Sequence, residues 1–229
     1  GEDTTAIIGY MINYFSAGMG VDCSYCHSLE NFSALEWGDP EAEQNRSNAY
    51  QHLLMTQELN REWLGELDTL TDFKQPSGAQ IICATCHNGQ AQPQVWPEEI
   101  PSLPNDFRCP LGEEFEHSVT EEGYLNVNAR SDISLDTVQQ NQYVMYHMNT
   151  SLGVGCTHCH NSRYFPSWEV PAKYYSLNML QMTQHVNLEW GETLGGQQPS
   201  CNMCHQGEVI PPGSARSVDV LPAALVPEQ

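Results

Sequence analysis

The chain contains the pattern C-x-x-C-H four times, and this repetition limits what it can fold around. The copies lie at 23–27, 83–87, 156–160 and 201–205. Two thiols at this spacing can form thioethers to the two vinyl groups of one haem, while the adjacent histidine ligates its iron. Disulfide frameworks, zinc sites and redox pairs also use paired cysteines, but none of them requires a histidine directly after the second cysteine. The sequence therefore predicts four covalently bound haem c groups.

These motifs assign eight of the nine cysteines and four of the nine histidines. The predicted haem-attachment residues are Cys23, Cys26, Cys83, Cys86, Cys156, Cys159, Cys201 and Cys204, and the predicted proximal iron ligands are His27, His87, His160 and His205. Cys109 is left over, and a thiol with no special role is the simplest interpretation of it.

The charge balance restricts the kind of partner. Lysine and arginine total 8 against 29 aspartate and glutamate, which gives a formal charge of −21 before haem propionates are added. Nucleic acid is excluded as a partner because phosphate binding needs a basic face. A cationic protein partner or a saline habitat fits this balance better.

The composition and the cofactor also bear on the compartment. Apolar residues make up 40% of the chain, so we expect the haems to supply much of the core. No stretch approaches eighteen apolar residues, and no signal-peptide pattern follows Gly1. Because haem c is attached outside the bacterial cytoplasmic membrane, we expect the full gene product to carry an export signal or anchor. The expected location is the periplasmic face of the cell membrane.

The four motifs form two similar pairs, which indicates an internal duplication. Gly20-Val21-x-Cys23 matches Gly153-Val154-x-Cys156, and a nine-residue segment beginning Met-Thr-Gln at Met55 is identical at six positions to the one at Met182. The predicted organisation is a first two-haem repeat at 1–91, a Pro-rich connector at 92–133, a second two-haem repeat at 134–213 and a C-terminal tail at 214–229.

Helical signals recur in the same order in each repeat. Asp3 can cap a helix that ends near Gly18 and Gly20, and its counterpart begins at about Asp136. A second helix is predicted from about 47 to 64, with a partner from about 174 to 190. The expected apolar face of the first helix carries Ile7, Tyr10, Met11, Tyr14 and Phe15. Strand alternation is almost absent, so the predicted fold is mainly α with extensive coil, built as tandem pseudo-symmetric two-haem repeats.

Methionines on these helices are candidates for the sixth iron ligands. Methionine opposite histidine raises the haem potential and is typical of electron-carrying cytochromes c. Met11 and Met145 precede the first motif of each repeat by 12 and 11 residues, and Met55 stands in the shared Met-Thr-Gln segment. Met19 and Met148 compete with Met11 and Met145. His52 and His185 lie one helical turn from Met55 and Met182 and could also compete, whereas His158 sits inside a motif and His117 in the connector.

This arrangement of helix, haem loop, Met-Thr-bearing helix and second haem loop resembles the tetrahaem cytochrome subunit of bacterial photosynthetic reaction centres. Ser151-Leu-Gly before the third motif and Cys204-His-Gln-Gly at the fourth are also similar to that family. The resemblance implies a roughly linear string of four haems, three with Met/His ligation: Met11 with His27, Met55 with His87 and Met145 with His160.

In the family's best-known pattern the fourth haem has two histidine ligands, one of them located between the Met-Thr helix and the second haem loop. This chain has no histidine between His52 and His87. Met182 has the same position in the second repeat as Met55 has in the first, in the helix before the last motif of the repeat. We therefore expect Met182 and His205 to be the two axial ligands of the fourth haem. His52, His117 or His185 as a bis-histidine partner is the alternative.

The resemblance implies an electron-transfer subunit rather than an enzyme. It would relay electrons from a soluble donor (a small cytochrome, a cupredoxin or an iron-sulfur protein) to the photo-oxidised special pair of a reaction centre. Membrane association would come through the reaction-centre subunits or through an anchor. Alternatives are a freestanding periplasmic or extracellular multihaem shuttle and a multihaem oxidoreductase. An oxidoreductase needs an open iron position with converging cationic or acid groups. It is disfavoured because every haem of this chain has a candidate methionine as its sixth ligand.

Overall fold

The structure, a computed structural model, describes residues 3–72, 77–96 and 135–215. Most of the predicted connector, including Cys109 and His117, lies outside the described residues. The described chain forms two compact units. The first comprises 3–64, 78–93 and 213–215, and the second comprises 65–72, 77, 94–96 and 135–212.

The first unit contains four α-helices joined by π-helical and 3-10 segments. In chain order these are α1 (Thr4–Tyr10), a π-helix (Met11–Ser16), α2 (Ala17–Met19), a 3-10 turn (Cys23–Tyr25), α3 (Pro40–Glu58), a π-helix (Leu59–Leu64) and α4 (Cys83–His87). Asp3 caps α1 through a hydrogen bond from the backbone N–H of Thr5 at 3.0 Å, as predicted. The segment ends at Gly20 in the left-handed conformation, with φ 68°.

The second unit has the same order of long helix, 3-10 motif, long helix and α-helical motif. Its elements are a 3-10 turn (Leu67–Thr69), α5 (Leu135–Leu152), a 3-10 turn (Cys156–His158), α6 (Pro171–Glu189) and α7 (Cys201–His205). A small core of Val144, Met148 and Leu180 joins α5 to α6, and Cys201 packs against it. This core holds the fourth motif against α5.

The two 19-residue helices begin earlier than predicted. α3 begins at Pro40 rather than near 47, and α6 begins at Pro171 rather than near 174. Proline suits the first helical position because its fixed φ is already helical. An N–H at that position has no acceptor within the helix, so its absence in proline loses no hydrogen bond. Asp39 caps α3 by accepting from the N–H of Ala42 at 3.2 Å. The acidic run after Asp39 is therefore the first turn of a helix.

The fold is mainly helical, as predicted, and the described residues contain no strand. One isolated antiparallel bridge joins Gln80 to Ala215, which places the segment 213–215 beside the second motif. In the part of the chain that the structure describes, no helix is long and apolar enough to cross a membrane.

Burial on the first helix is less than the sequence pattern predicts. Of its expected apolar face only Tyr10 is buried, while Ile7 and Met11 are 42% and 38% exposed. Phe32 and Leu29, next to the first motif, are 51% and 63% exposed. Side chains alone provide a small core, so these apolar surfaces suit contact with a large apolar group such as haem.

Candidate haem-binding sites

The four motifs adopt two local forms, which alternate along the chain. The first and third begin as 3-10 turns at Cys23 and Cys156, whereas the second and fourth are five-residue α-helices, Cys83–His87 and Cys201–His205. None of the eight motif cysteines is in a disulfide. Among the described residues there is also no cluster of three or more His, Cys, Asp or Glu side chains placed to hold a metal ion.

Each motif histidine is held by a hydrogen bond from its Nδ1 to a backbone carbonyl. The distances are 3.0 Å from His27 to Phe32, 3.0 Å from His87 to Gln90, 2.9 Å from His160 to Phe165 and 2.9 Å from His205 to Glu208. A carbonyl oxygen can only accept, so Nδ1 carries the proton in each ring. Nε2 is then the nitrogen with a lone pair. This is the tautomer and the orientation that a haem-ligating histidine requires.

In the first and third motifs the carbonyl that fixes the histidine also accepts from a cation. The guanidinium of Arg46 on α3 donates to the oxygens of Phe32 (3.4 Å) and Ala34. The ammonium of Lys173 on α6 donates to Phe165 (3.0 Å), Pro166 (3.0 Å) and Ser167 (2.9 Å). Each loop is thus attached to the following helix through the oxygen that orients its proximal histidine.

In the second and fourth motifs the turn after the histidine is left-handed. Asn88 and Gln206 have φ of 46° and 49°, which turns the chain back toward the preceding helix. The N–H of Gly89 then donates to Gly18 at 2.8 Å, and that of Gly207 donates to Ser151 at 2.8 Å. The second motif is thereby attached to the end of the helix that precedes the first motif. In the same way, the fourth motif is attached to the end of α5, which precedes the third motif.

An asparagine in equivalent positions holds the backbone two residues before each of these motifs. Asn60 donates to the carbonyl of Ile81 and accepts from its N–H, both at 2.7 Å. Asn187 donates to the carbonyl of Pro199 at 3.3 Å, but its Oδ1 has no hydrogen-bond partner. The reason is chemical, since proline has no N–H to donate.

Burial keeps several motif thiols neutral. Desolvation raises the pKa of Cys83 to about 11. It also raises the pKa of Cys26, with Arg46 acting in the opposite direction, and that of Cys159, where Ser176 and Lys173 oppose it. Uncharged thiols suit a site that receives an apolar macrocycle.

His87 is the most enclosed of the four proximal histidines. Its side chain is only 9% exposed, and burial lowers its pKa, as does the neighbouring His52. The ring centroids of His52 and His87 are 5.8 Å apart with planes inclined by 36°. The sequence places His52 one turn from Met55 but does not show that it reaches His87.

The four predicted methionine ligands lie on the helices expected to carry them. Met11 is 38% exposed at the start of the π-helix, and Met145 is half-buried on α5 beside the Val144 core. Met55 and Met182 are half-buried on α3 and α6. Of their competitors, Met19 and Met148 are buried, at 6% and 8% exposed, and Met148 belongs to the core with Val144 and Leu180.

The π-helix explains why Met11 and Met145 differ by one residue in their distance from the next cysteine. Met11 lies nine residues before Gly20, and Met145 lies eight before Gly153; both glycines are left-handed. The N–H of Ala17 donates to Ile12, five residues back, so one extra residue is taken up in this turn. The buried neighbours Tyr10 and Val144 follow the same register.

His147 is a buried polar residue to which the sequence assigned no role. It is 0% exposed and stacks on Trp96 at 4.9 Å between centroids. Neither of its ring nitrogens has a hydrogen-bond partner among the described residues. It lies two residues beyond Met145 and therefore on the opposite face of α5.

Comparison with known proteins agrees with this geometry. The family model for the photosynthetic reaction centre cytochrome c subunit matches residues 2–105, 95–174 and 169–220. Cytochrome c-554 of Chloroflexus aurantiacus is 27% identical over an alignment of 301 residues, covering 96% of this chain and 70% of that protein. The reaction centre cytochrome c subunits of Rubrivivax gelatinosus and Roseobacter denitrificans are 24% and 25% identical, covering 82% and 81% of this chain.

The chain spans 58% and 59% of the length of those last two relatives. The match nevertheless extends over most of the present sequence and includes all four motifs. Covalently bound haem c and electron transport in photosynthesis follow from the family. The chain belongs to the photosynthetic reaction centre cytochrome c subunit family.

Proposed function

We propose that this protein is a tetrahaem electron relay that takes electrons from a soluble donor and passes them to the photo-oxidised special pair of a reaction centre. When bound, haem c supplies an iron that carries one electron by alternating between its ferrous and ferric states. The chain's own contribution is to attach, orient and tune four such groups. This makes it an electron-transfer subunit, for which no catalytic residue is proposed.

The observation that carries this proposal is the hydrogen bond from Nδ1 of every motif histidine to a backbone carbonyl. Four histidines present Nε2 beside a pair of cysteines, and each is fixed in one tautomer. The alternation of the 3-10 and α-helical motifs supports a tandem arrangement of two two-haem repeats.

For the sixth ligands of the first and third haems we propose Met11 and Met145. Their helices lead directly into these motifs, and the π-helix gives the two methionines the same register. For the second and fourth haems the sequence predicts Met55 and Met182. Methionine ligation would favour the reduced iron and raise the potential, which suits a donor to a strong oxidant.

The acidic surface supports docking of a cationic donor near the first haem. Glu30, Glu36 and Glu41 are exposed on the segment that follows the first motif. Their charges can steer a cationic protein toward this region. The rate of reduction by a small cationic cytochrome should fall as ionic strength rises, and a rate independent of salt would exclude this docking mode.

Assembly with the reaction centre at the periplasmic face of the membrane is part of the same proposal. The test is flash excitation of native membranes while the haem absorption bands are recorded. The expected result is oxidation of haem as the special pair is re-reduced. A protein whose haems remain reduced after the flash would instead be a freestanding shuttle.

A further inference from the structure

Two histidines face each other in the first unit, and only one of them belongs to a C-x-x-C-H motif. His52 lies on α3, three residues before Met55, and His87 ends the motif helix α4. Their ring centroids are 5.8 Å apart. This is a contact between a proximal haem histidine and a second imidazole.

The separation suits two imidazoles on one metal. A metal–imidazole nitrogen bond is about 2 Å, and the ring centre lies about 1 Å beyond the nitrogen. Two rings on opposite sides of one iron therefore have centroids roughly 6 Å apart. His87 has Nε2 available for the iron, because its Nδ1 donates to Gln90 at 3.0 Å.

His52 and Met55 lie on the same helix, α3, and only one of them can be the second iron ligand opposite His87. Three residues along an α-helix correspond to about 4.5 Å of rise and about 300° of rotation. In the structure the ring of His52 lies beside that of His87, with the two planes inclined by 36°. From these observations we propose that His52 is the sixth ligand of the haem on Cys83 and Cys86, in place of Met55.

The second unit shows what occupies the corresponding position there. Thr56 donates its hydroxyl to the carbonyl of His52 at 2.8 Å, and Thr183 donates to the carbonyl of Met179 at 2.9 Å. His52 therefore corresponds to Met179 and Met55 to Met182. On this register the place of His52 is taken in the second unit by a methionine, Met179, which lies three residues before the predicted ligand Met182. A second histidine ligand at this place is therefore specific to the first unit.

This inference rests on the proposed attachment of haem to the second motif, and the test separates the two. Intact mass of the holoprotein first counts the haems in the wild type and in each variant. A wild-type protein without haem on the second motif removes the proposed function of that site. The ligand is then examined by low-temperature EPR of the oxidised protein and by the charge-transfer band of methionine-ligated ferric haem.

The decisive variants are His52→Met, Met55→Leu and His185→Met. Wild type should show a bis-histidine low-spin signal from one haem in four. His52→Met should lose that signal, gain methionine charge-transfer intensity and raise the potential of one haem. Met55→Leu and His185→Met should retain the signal.

The proposal is overturned if wild type has no bis-histidine signal, if His52→Met retains it, or if His185→Met abolishes it. A loss of methionine charge-transfer intensity in Met55→Leu would also contradict it. His52→Gly with added imidazole gives a further check, since exogenous imidazole should restore the bis-histidine signal in that variant. Failure of imidazole to restore it in a correctly folded four-haem protein would count against His52.

Discussion

Gly20 lies so close to Gly89 that a Cβ on Gly20 would be 2.0 Å from the carbonyl oxygen of Gly89. Gly153 has the same relation to Gly207 in the second unit, at 2.1 Å. Both Gly20 and Gly153 have positive φ, so a side chain there is strained as well as obstructed. These contacts bring the end of one helix against the turn that follows an α-helical motif.

Replacing Gly20 by alanine should therefore destabilise the holoprotein by roughly 2–4 kcal/mol, from left-handed strain and overpacking together. For a protein of this size, the melting midpoint should fall by about 5–15 °C. Gly9→Ala is the matched control, because Gly9 is helical and a Cβ there meets nothing within 4 Å. If both variants melt alike by circular dichroism, the approach of Gly20 to Gly89 does not exist in the folded protein.

Asn60 and Asn187, which occupy equivalent positions in the two units, should contribute differently to the free energy of unfolding. Asn60→Ala leaves both the N–H and the carbonyl of Ile81 without their side-chain partner. Asn187→Ala removes one hydrogen bond to the carbonyl of Pro199 and one to the carbonyl of Thr183 on its own helix, and it eliminates an unpaired buried oxygen. Net contributions are about 1 kcal/mol per bond, and leaving a buried group unpaired costs more. We expect Asn60→Ala to lower the free energy of unfolding by about 1–2 kcal/mol more than Asn187→Ala. Denaturant titration of both holoproteins measures this, and equal losses would contradict the two-bond geometry of Asn60 at Ile81.

The cations that share a carbonyl with a proximal histidine should raise the potential of that haem. Loss of Arg46 or Lys173 removes a positive charge and lets Phe32 or Phe165 accept more strongly from the histidine, and both changes favour ferric iron. Arg46→Gln should lower the potential of the first haem, and Lys173→Met that of the third, by roughly 20–60 mV.

Arg61→Gln is the charge-matched control for this effect. Arg61 is exposed and pairs with Glu62 at 2.7 Å. A spectroscopic redox titration of the three variants should show a shift only for Arg46→Gln and Lys173→Met. Equal shifts in all three would mean that total charge, rather than the shared carbonyl, sets the potential.

Glu43 should make the start of α3 sensitive to acid. Its carboxylate accepts from the N–H groups of Trp37 (2.5 Å) and Gly38 (2.8 Å), and these bonds lower its pKa. Because the folded-state pKa is depressed, the stabilisation is present above the ordinary glutamic acid pKa. It is lost as the pH falls through the folded-state value.

The measurement is the melting midpoint of wild type, Glu43→Gln and Glu41→Gln at neutral and acidic pH. Wild type should exceed Glu43→Gln at neutral pH, and the difference should shrink in acid. Glu41 is exposed in the same helical turn and serves as the control. A Glu41→Gln variant with the same pH-dependent loss would show that general charge, not the loop contact of Glu43, is responsible.

Sequence reasoning predicted the helices and motifs well because their signals are local. The Asp3 cap, the glycine stop at Gly20 and the predominance of helix are confirmed. The start of α3 was misplaced because the acidic residues after Pro40 lack apolar periodicity, although Asp39 and Pro40 are themselves a good start signal.

Long-range contacts had no comparable signal. The pairing of Gln80 with Ala215 joins residues far apart in sequence. Likewise, which carbonyl groups Arg46 and Lys173 bind depends on how the preceding loop folds back on the helix that carries each cation. Whether His52 or Met55 faces His87 depends on the rotation of α3 about its axis. Residues three apart lie near the same face of a helix, so their spacing in the sequence does not determine that rotation. The methionine ligands remain predictions.

Potentiometric titration of the purified holoprotein, followed by haem absorption spectra, tests the central claim most directly. The claim is that one chain holds four haems, each on its own C-x-x-C-H motif. The predicted result is four one-electron components, of which the bis-histidine haem is the lowest in potential. Fewer than four components, with a mass showing fewer than four haems, would contradict it.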